Sequence, residues 1–138
     1  MNYSTFNIKK FFIKKDSTYP ILKYPLIQKI REEYDITDDM LENVAVTFSM
    51  IDIDTGLYRI ANSPANLILN NNRAKFPDEE LFTLTYKFKL KDTKKSGVFG
   101  GEFVIDFLGN SGCGKIKLPI NGYIDIIVSD SITKTTVI

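Results

Sequence analysis

The 138-residue chain contains no histidine, no tryptophan and a single cysteine, Cys113. Without histidine or a second thiol, zinc and most transition-metal sites lose their usual ligands. Serine–histidine and cysteine–histidine nucleophile activation are likewise excluded. One cysteine cannot close an internal disulfide, which fits assembly in a reducing cytoplasm. Strong charge is also lacking: the net charge is +1, which gives no electrostatic reason to expect nucleic acid or an anionic membrane as partner. No apolar run approaches a membrane span. Ile8 to Lys15 mixes lysines into its apolar residues and no small-residue cleavage site follows, so no signal peptide is read there.

What is present is an ordinary globular composition, 43% apolar and 25% charged, in a length suited to one domain over residues 1–138. The chain is organised around Tyr86 to Phe107. Tyr86, Phe88 and Leu90 alternate with Lys87, Lys89 and Lys91, and Phe103, Ile105 and Phe107 alternate with Val104, Asp106 and Leu108. Both patterns have the period of a strand with one buried face. The glycine-rich DTKKSGVFGG between them is expected to turn, with Gly97 letting the Phe99 ring drop into the core.

Elsewhere, Phe6 to Ile13 reads as a first strand, and Tyr19 to Tyr24 as an extended segment whose Pro20 suits an edge. Leu26, Ile27, Ile30 and Tyr34 share a helical face, with Pro25 at the first helical position. Thr37 to Leu41 reads as a further helical turn capped by Thr37. Val44, Val46, Phe48 and Met50 form the buried side of a strand. Asp54-Thr55-Gly56 turns the chain into Leu57 to Ile60, Asn62 to Pro64 break that strand, and Ala65 to Leu69 resume it. Asn70 to Lys75 is a polar loop tip. Ile116 to Ile120 and Tyr123 to Val128 are joined by Asn121-Gly122, a strong two-residue hairpin signal. About eight short strands, one helical insertion near residues 26–41 and no βαβ alternation predict a mainly β, antiparallel, immunoglobulin-like β-sandwich.

Gly109 to Lys115, GNSGCGK, fits the first seven positions of a phosphate-binding loop. The next residue is Ile116 where a magnesium-holding serine or threonine is needed, and Lys115 to Leu118 alternates as a strand rather than a helix. A hairpin loop is the expectation. Asp54-Thr55-Gly56 matches the aspartic-protease triplet, and half-size versions of such enzymes work as homodimers, but no second supporting motif is found and the triplet is good turn chemistry. Asp52, Asp54 and Gly56 could open a calcium loop, yet Leu57, Tyr58 and Arg59 follow where oxygen ligands are required. Asp38 and Asp39 read as first-turn residues of a helix. Lys87, Lys89, Lys91, Lys94 and Lys95 could form a nucleic-acid platform, but the aromatic residues alternate to the opposite face, and strand lysines also guard against edge pairing. No catalytic, cofactor-binding or metal-binding residue is assigned, and no cofactor is expected.

Four segments resemble the N-terminal immunoglobulin-like domain of tailed-phage baseplate upper proteins and related virion proteins. They are Ile13 to Tyr24, Asn43 to Asp52 (its "V-x-F-x-M" strand), Tyr86 to Phe103 ("Y-x-aromatic, D-T, G-x-Tyr, E-F") and Gly114 to Val128. Two features depart from that pattern: the helical stretch Leu26 to Leu41 replaces a short loop, and Phe99 stands where tyrosine is usual. The resemblance implies a non-enzymatic structural subunit of a tailed bacteriophage virion (tail, baseplate, collar or fibre anchor). It would be assembled in the bacterial cytoplasm in several copies around a symmetric particle. Its partners would be other virion proteins rather than nucleic acid, membrane or a small-molecule substrate. Because the sequence ends soon after the domain, it is expected to be a small joining subunit with no receptor-binding region of its own. The expected contact elements are the N-terminal segment 1–24, the helical insertion 26–41 and the tail 129–138. The alternative is a carbohydrate- or receptor-binding module using Tyr58, Tyr123 and Asn70 to Asn72. An enzyme built on Gly109 to Lys115 or Asp54 ranks behind both.

Overall fold

The computed structural model describes residues 10–69, 81–108 and 114–131. Strands β1 (Lys10–Lys14) and β2 (Leu22–Pro25) are followed by helix α1 (Gln28–Glu33), a 3-10 turn at Asp38–Leu41, and strands β3 (Ala45–Asp52), β4 (Tyr58–Leu69) and β5 (Phe82–Tyr86). A second 3-10 turn, Leu90–Thr93, leads to β6 (Gly97–Asp106), β7 (Lys115–Leu118) and β8 (Ile124–Ser129). The chain is therefore mainly β with little helix, as expected.

The strands form one ladder in the order β1-β8-β6-β3-β4-β5-β2, with β7 also on β6. All pairs are antiparallel except β1 and β8, which run parallel from Lys10–Asp125 to Lys14–Ser129. That pair is an exception to the antiparallel expectation, and nothing local in residues 10–14 could announce it. The ladder folds over at β4, whose first part pairs β3 up to Ala65 and whose last part pairs β5 from Asn66. The two halves thus face each other, nearly as a barrel, and β1 and β2 at the ladder ends are not hydrogen-bonded to one another.

The inward side chains are those the alternation selects. Val46, Phe48 and Met50 of β3, Phe99, Phe103 and Ile105 of β6, and Ile124, Ile126 and Val128 of β8 meet Leu22, Tyr24, Leu84 and Tyr86 from the other half. Phe48 is the hub. Its ring centroid lies 4.7 Å from Tyr86, 5.0 Å from Phe103 and 6.0 Å from Phe88, and Tyr24 reaches Phe103 at 6.1 Å. Tilted and offset geometries of this kind suit aromatic quadrupoles. The glycines of GVFGG are part of β6 rather than of a turn, because rings lie against them. A Cβ at Gly101 would stand 2.8 Å from Phe48 Cζ, and one at Gly100 2.8 Å from Tyr123 Cδ1.

Five further expectations are corrected. The strand expected to run on to Leu90 ends at Tyr86; Phe88 is still buried, but Leu90 is exposed on the 3-10 turn. Lys87, Lys89 and Lys91 therefore do not line a strand face, and β5 lies between β4 and β2 rather than at an edge. Residues 58–69 are one strand, not two. Asn62, at φ +50°, sits in a bulge where two residues of β4 oppose Ser49 alone, which absorbs the break expected at Asn62 to Pro64. Asn121-Gly122 does not close a hairpin between β7 and β8. Both strands pair the same edge of β6, β7 along Phe103 to Asp106 and β8 along Gly97 to Gly101, so the stretch 119–123 is a break in one long edge. Pro25 ends β2, and α1 begins only after Ile27.

The first-strand expectation is met over Lys10–Lys14; Phe6 to Lys9 lie outside the described residues, as do Asn70 to Lys75, Gly109 to Cys113 and residues 132–138. The Thr37 turn forms as expected, with the Thr37 N–H on Met40 Sδ at 3.4 Å. Leu26, Ile30, Ile36, Met40 and Leu41 of the helical insertion are all buried, so its apolar side is used within the molecule.

Two core phenols predict a pH limit. Burial pushes Tyr24 up to about 12, helped by the nearby Tyr34 phenol. Burial also pushes Tyr86 up to about 12; the Ser63 hydrogen bond opposes the shift, and the Asp92 carboxylate adds to it through a hydrogen bond and its charge. In the unfolded chain both phenols ionise near 10. The folded state therefore holds protons that the unfolded state loses, and the stability present below pH 10 falls as pH rises toward 12. The urea midpoint is expected to drop across that window, and to drop less in a Tyr24→Phe, Tyr86→Phe double variant. A midpoint equally sensitive in both proteins would contradict this assignment.

Candidate interaction surface

The outward positions of the β1-β8-β6-β3-β4 face are set by the same alternation that fills the core. On one rung, β1 Phe12 pairs β8 Ile127, which pairs β6 Val98. On another, β4 Tyr58 pairs β3 Ile51, and Ile51 pairs β6 Gly100, whose surface is covered by the Tyr123 ring. That second rung continues to Asp125 and Lys10. Phe12 is 61% exposed, Tyr58 68%, Val98 52% and Tyr123 45%, and all four lie on one side of one sheet. Scattered apolar residues are normal on a surface; here two adjacent rungs bring them together on one face. Lys14, Glu102, Lys117 and Asp106 occupy outward positions around it, giving a rim of both charge signs.

Reading the sequence for alternation alone leaves Phe12, Ile51, Val98, Asp125 and Ile127 unremarked. The available signal was that Val98, Ile127 and Ile51 are apolar at outward positions of strands whose inward positions are already apolar. The glycan candidates Tyr58 and Tyr123 come together on one rung, separated by Ile51 and Gly100, while Asn70 to Asn72 lie outside the described residues.

The turn between β3 and β4, next to this surface, is fixed by side-chain hydrogen bonds. Asp52 Oδ1 accepts from the Asp54 and Thr55 N–H groups at 2.9 and 3.3 Å, and Gly56 takes φ +73° while its N–H donates to the Asp52 carbonyl. The triplet thus works as a turn. Among the described residues no group of three or more acidic, cysteine or histidine side chains could hold a metal ion. Lys115 begins β7, the strand that the alternation after the glycine-rich loop predicts.

Asp92 and Thr93, the D-T pair, clamp the corner between the ladder halves. Tyr86 Oη donates to Asp92 Oδ2 at 2.7 Å, and the Lys89 N–H donates to the same oxygen at 2.8 Å. Thr93 Oγ1 donates to the Ser17 carbonyl at 2.8 Å and accepts from the Ser17 N–H at 3.1 Å. One residue thus holds the end of β5 and the next holds the β1–β2 connection. Of the lysine series, Lys94 pairs with Asp16 at 3.4 Å, both exposed, and the exposed Lys95 with the half-buried Asp52 at 3.9 Å; such surface pairs are worth little to stability.

No family model, curated protein or solved structure matches the chain.

Proposed function

We propose that the protein is a structural subunit of a tailed-phage virion, an immunoglobulin-like domain that acts by docking onto neighbouring virion proteins. The observation that carries the docking role is the pair of apolar rungs on the outer face, Phe12–Ile127–Val98 and Tyr58–Ile51–Gly100 with Tyr123. The virion context comes from the four-segment resemblance. The immunoglobulin-like reading is supported by strand order: β2-β5-β4 has the B-E-D order and β3-β6-β8 the C-F-G order of such domains. Phe99, where tyrosine is usual in the resembling family, carries no hydroxyl; the buried phenol bonded to the second 3-10 turn is Tyr86.

The partner is a protein surface with its own flat apolar face, and copies of the subunit repeat around the particle. A Phe12→Lys, Val98→Lys double variant tests this. Both side chains are exposed, so folding is expected to survive. Desolvating two new charges should lower incorporation into particles by about tenfold or more. Undiminished incorporation of the folded variant would count against the face.

The second reading, a carbohydrate-binding module, is favoured by one observation: Tyr58 and Tyr123 flank Ile51 and Gly100 on a single exposed rung beside Asp125. Glycan-array binding that disappears in Tyr123→Ala would support it over protein docking.

A further inference from the structure

On the other side of β4, its bulged part and the second 3-10 turn enclose a cleft of about 280 Å³. Arg59, Lys89 and Lys91 line it, with Asn62, Ser63 and Asp92. Arg59 lies in a register shift of β4: Tyr58 opposes Ile51 and Ile60 opposes Met50, so Arg59 is the extra residue. Bulges re-aim side chains in this way. Its Nε is buried and has no hydrogen-bond partner among the described residues, an arrangement that costs free energy until an acceptor arrives.

Among the described residues, the one carboxylate lining the cleft is already engaged. Asp92 Oδ2 accepts hydrogen bonds from the Tyr86 hydroxyl and the Lys89 N–H. The single hydroxyl hydrogen of Tyr86 points to that carboxylate, so the 3.2 Å contact between Tyr86 Oη and Ser63 Oγ has Ser63 donating. Ser63 Oγ in turn accepts from Lys89 Nζ at 3.4 Å. Among the described residues this chain leaves Arg59 and Lys91 without an anion, while the Lys89 ammonium contacts the Ser63 hydroxyl.

We propose that the cleft binds a phosphate-type dianion. Three cationic side chains face one carboxylate that is turned inward, so a dianion matches them better than a single carboxylate would. Arg59 supplies a planar donor fork and the lysines supply point charges. None of the lining residues belongs to the docking face, and the site does not depend on the virion reading. A protein that bound phosphate but stayed out of particles would keep this site and sink that function.

The test is a titration of the full chain with inorganic phosphate at constant ionic strength, followed by nitrogen–proton NMR. The Arg59 Nε–H and the Lys89 and Lys91 amides are expected to shift together and saturate. Affinity should rise as phosphate passes from mono- to dianion, and acetate should bind more weakly. Arg59→Gln and Lys91→Gln should each weaken phosphate by about threefold to tenfold, the loss of one charge-assisted contact. Lys91 is exposed, so that variant folds whatever happens at Arg59. Methyl phosphate as a second probe separates sources: equal binding identifies an esterified phosphate as an acceptable ligand, and loss of binding restricts the site to the free ion. Shifts spread over all surface lysines without saturation, equal binding of acetate, or unchanged affinity in both variants would overturn the proposal.

Discussion

Replacing Phe48 by alanine is expected to cost about 3–5 kcal/mol, the range for truncating a buried aromatic side chain. The residue is fully buried, and its ring touches the rings of Tyr86, Phe88 and Phe103 from both halves of the ladder. Gly101 also exists in its present form to admit that ring, so no neighbouring side chain stands ready to fill the space. Natural domains are stable by about 5–15 kcal/mol in total, so the variant would lose a large share of that stability. Urea unfolding measures the loss. A Phe48→Leu variant, which keeps most of the apolar volume, should lose less than half as much. Equal losses for the two would mean that ring geometry rather than volume governs the site.

The second large effect is expected at Asp92. Its side chain is buried, and Oδ2 accepts from both the Tyr86 hydroxyl and the Lys89 N–H. Hydrogen bonds to a charged group are worth about 1.5–3 kcal/mol each, and a donor left unpaired in the interior keeps its desolvation cost. Asp92→Ala is therefore expected to lose about 3 kcal/mol, because the Tyr86 hydroxyl can fall back on Ser63 while the Lys89 N–H cannot. Asp92→Asn keeps an acceptor in the same place and should lose about 1 kcal/mol, the net worth of a neutral hydrogen bond. Urea midpoints for the two variants test the order. If alanine and asparagine were equally mild, Asp92 would not be holding the corner between β5 and β6.

Much of this core could be read along the chain, because a strand buried on one face writes its period into its own residues. Val46, Phe48 and Met50 were legible, as were Phe99, Phe103 and Ile105, the turn at Asp54-Thr55-Gly56 and the Thr37 turn. Each of these depends on neighbours within a few positions. What was not legible depends on partners far away in sequence. Asn121-Gly122 has the residues of a tight hairpin, but β6 is long enough to take both β7 and β8 along one edge, and β8 uses its other edge for β1. Asn62-Ser63-Pro64 has the residues of a break, but a bulge against Ser49 carries the strand through. The glycines of β6 look like a flexible connection until Tyr123 and Phe48 are seen lying on them.

The surface was harder to read than the core for a related reason. Tyr58 and Tyr123 could be picked out as exposed aromatic candidates. Their shared rung could not, because it is created by the pairing of β4 with β3 and of β3 with β6. Arg59 gave no signal at all. Its place in the cleft follows from a one-residue register shift that only the folded ladder defines.

The role in a virion is tested most directly by quantitative mass spectrometry of purified particles made by the genome that encodes this chain. The account predicts that the chain is present in those particles at a fixed ratio to the other structural proteins. Finding it in the infected-cell lysate but absent from the particles would contradict it.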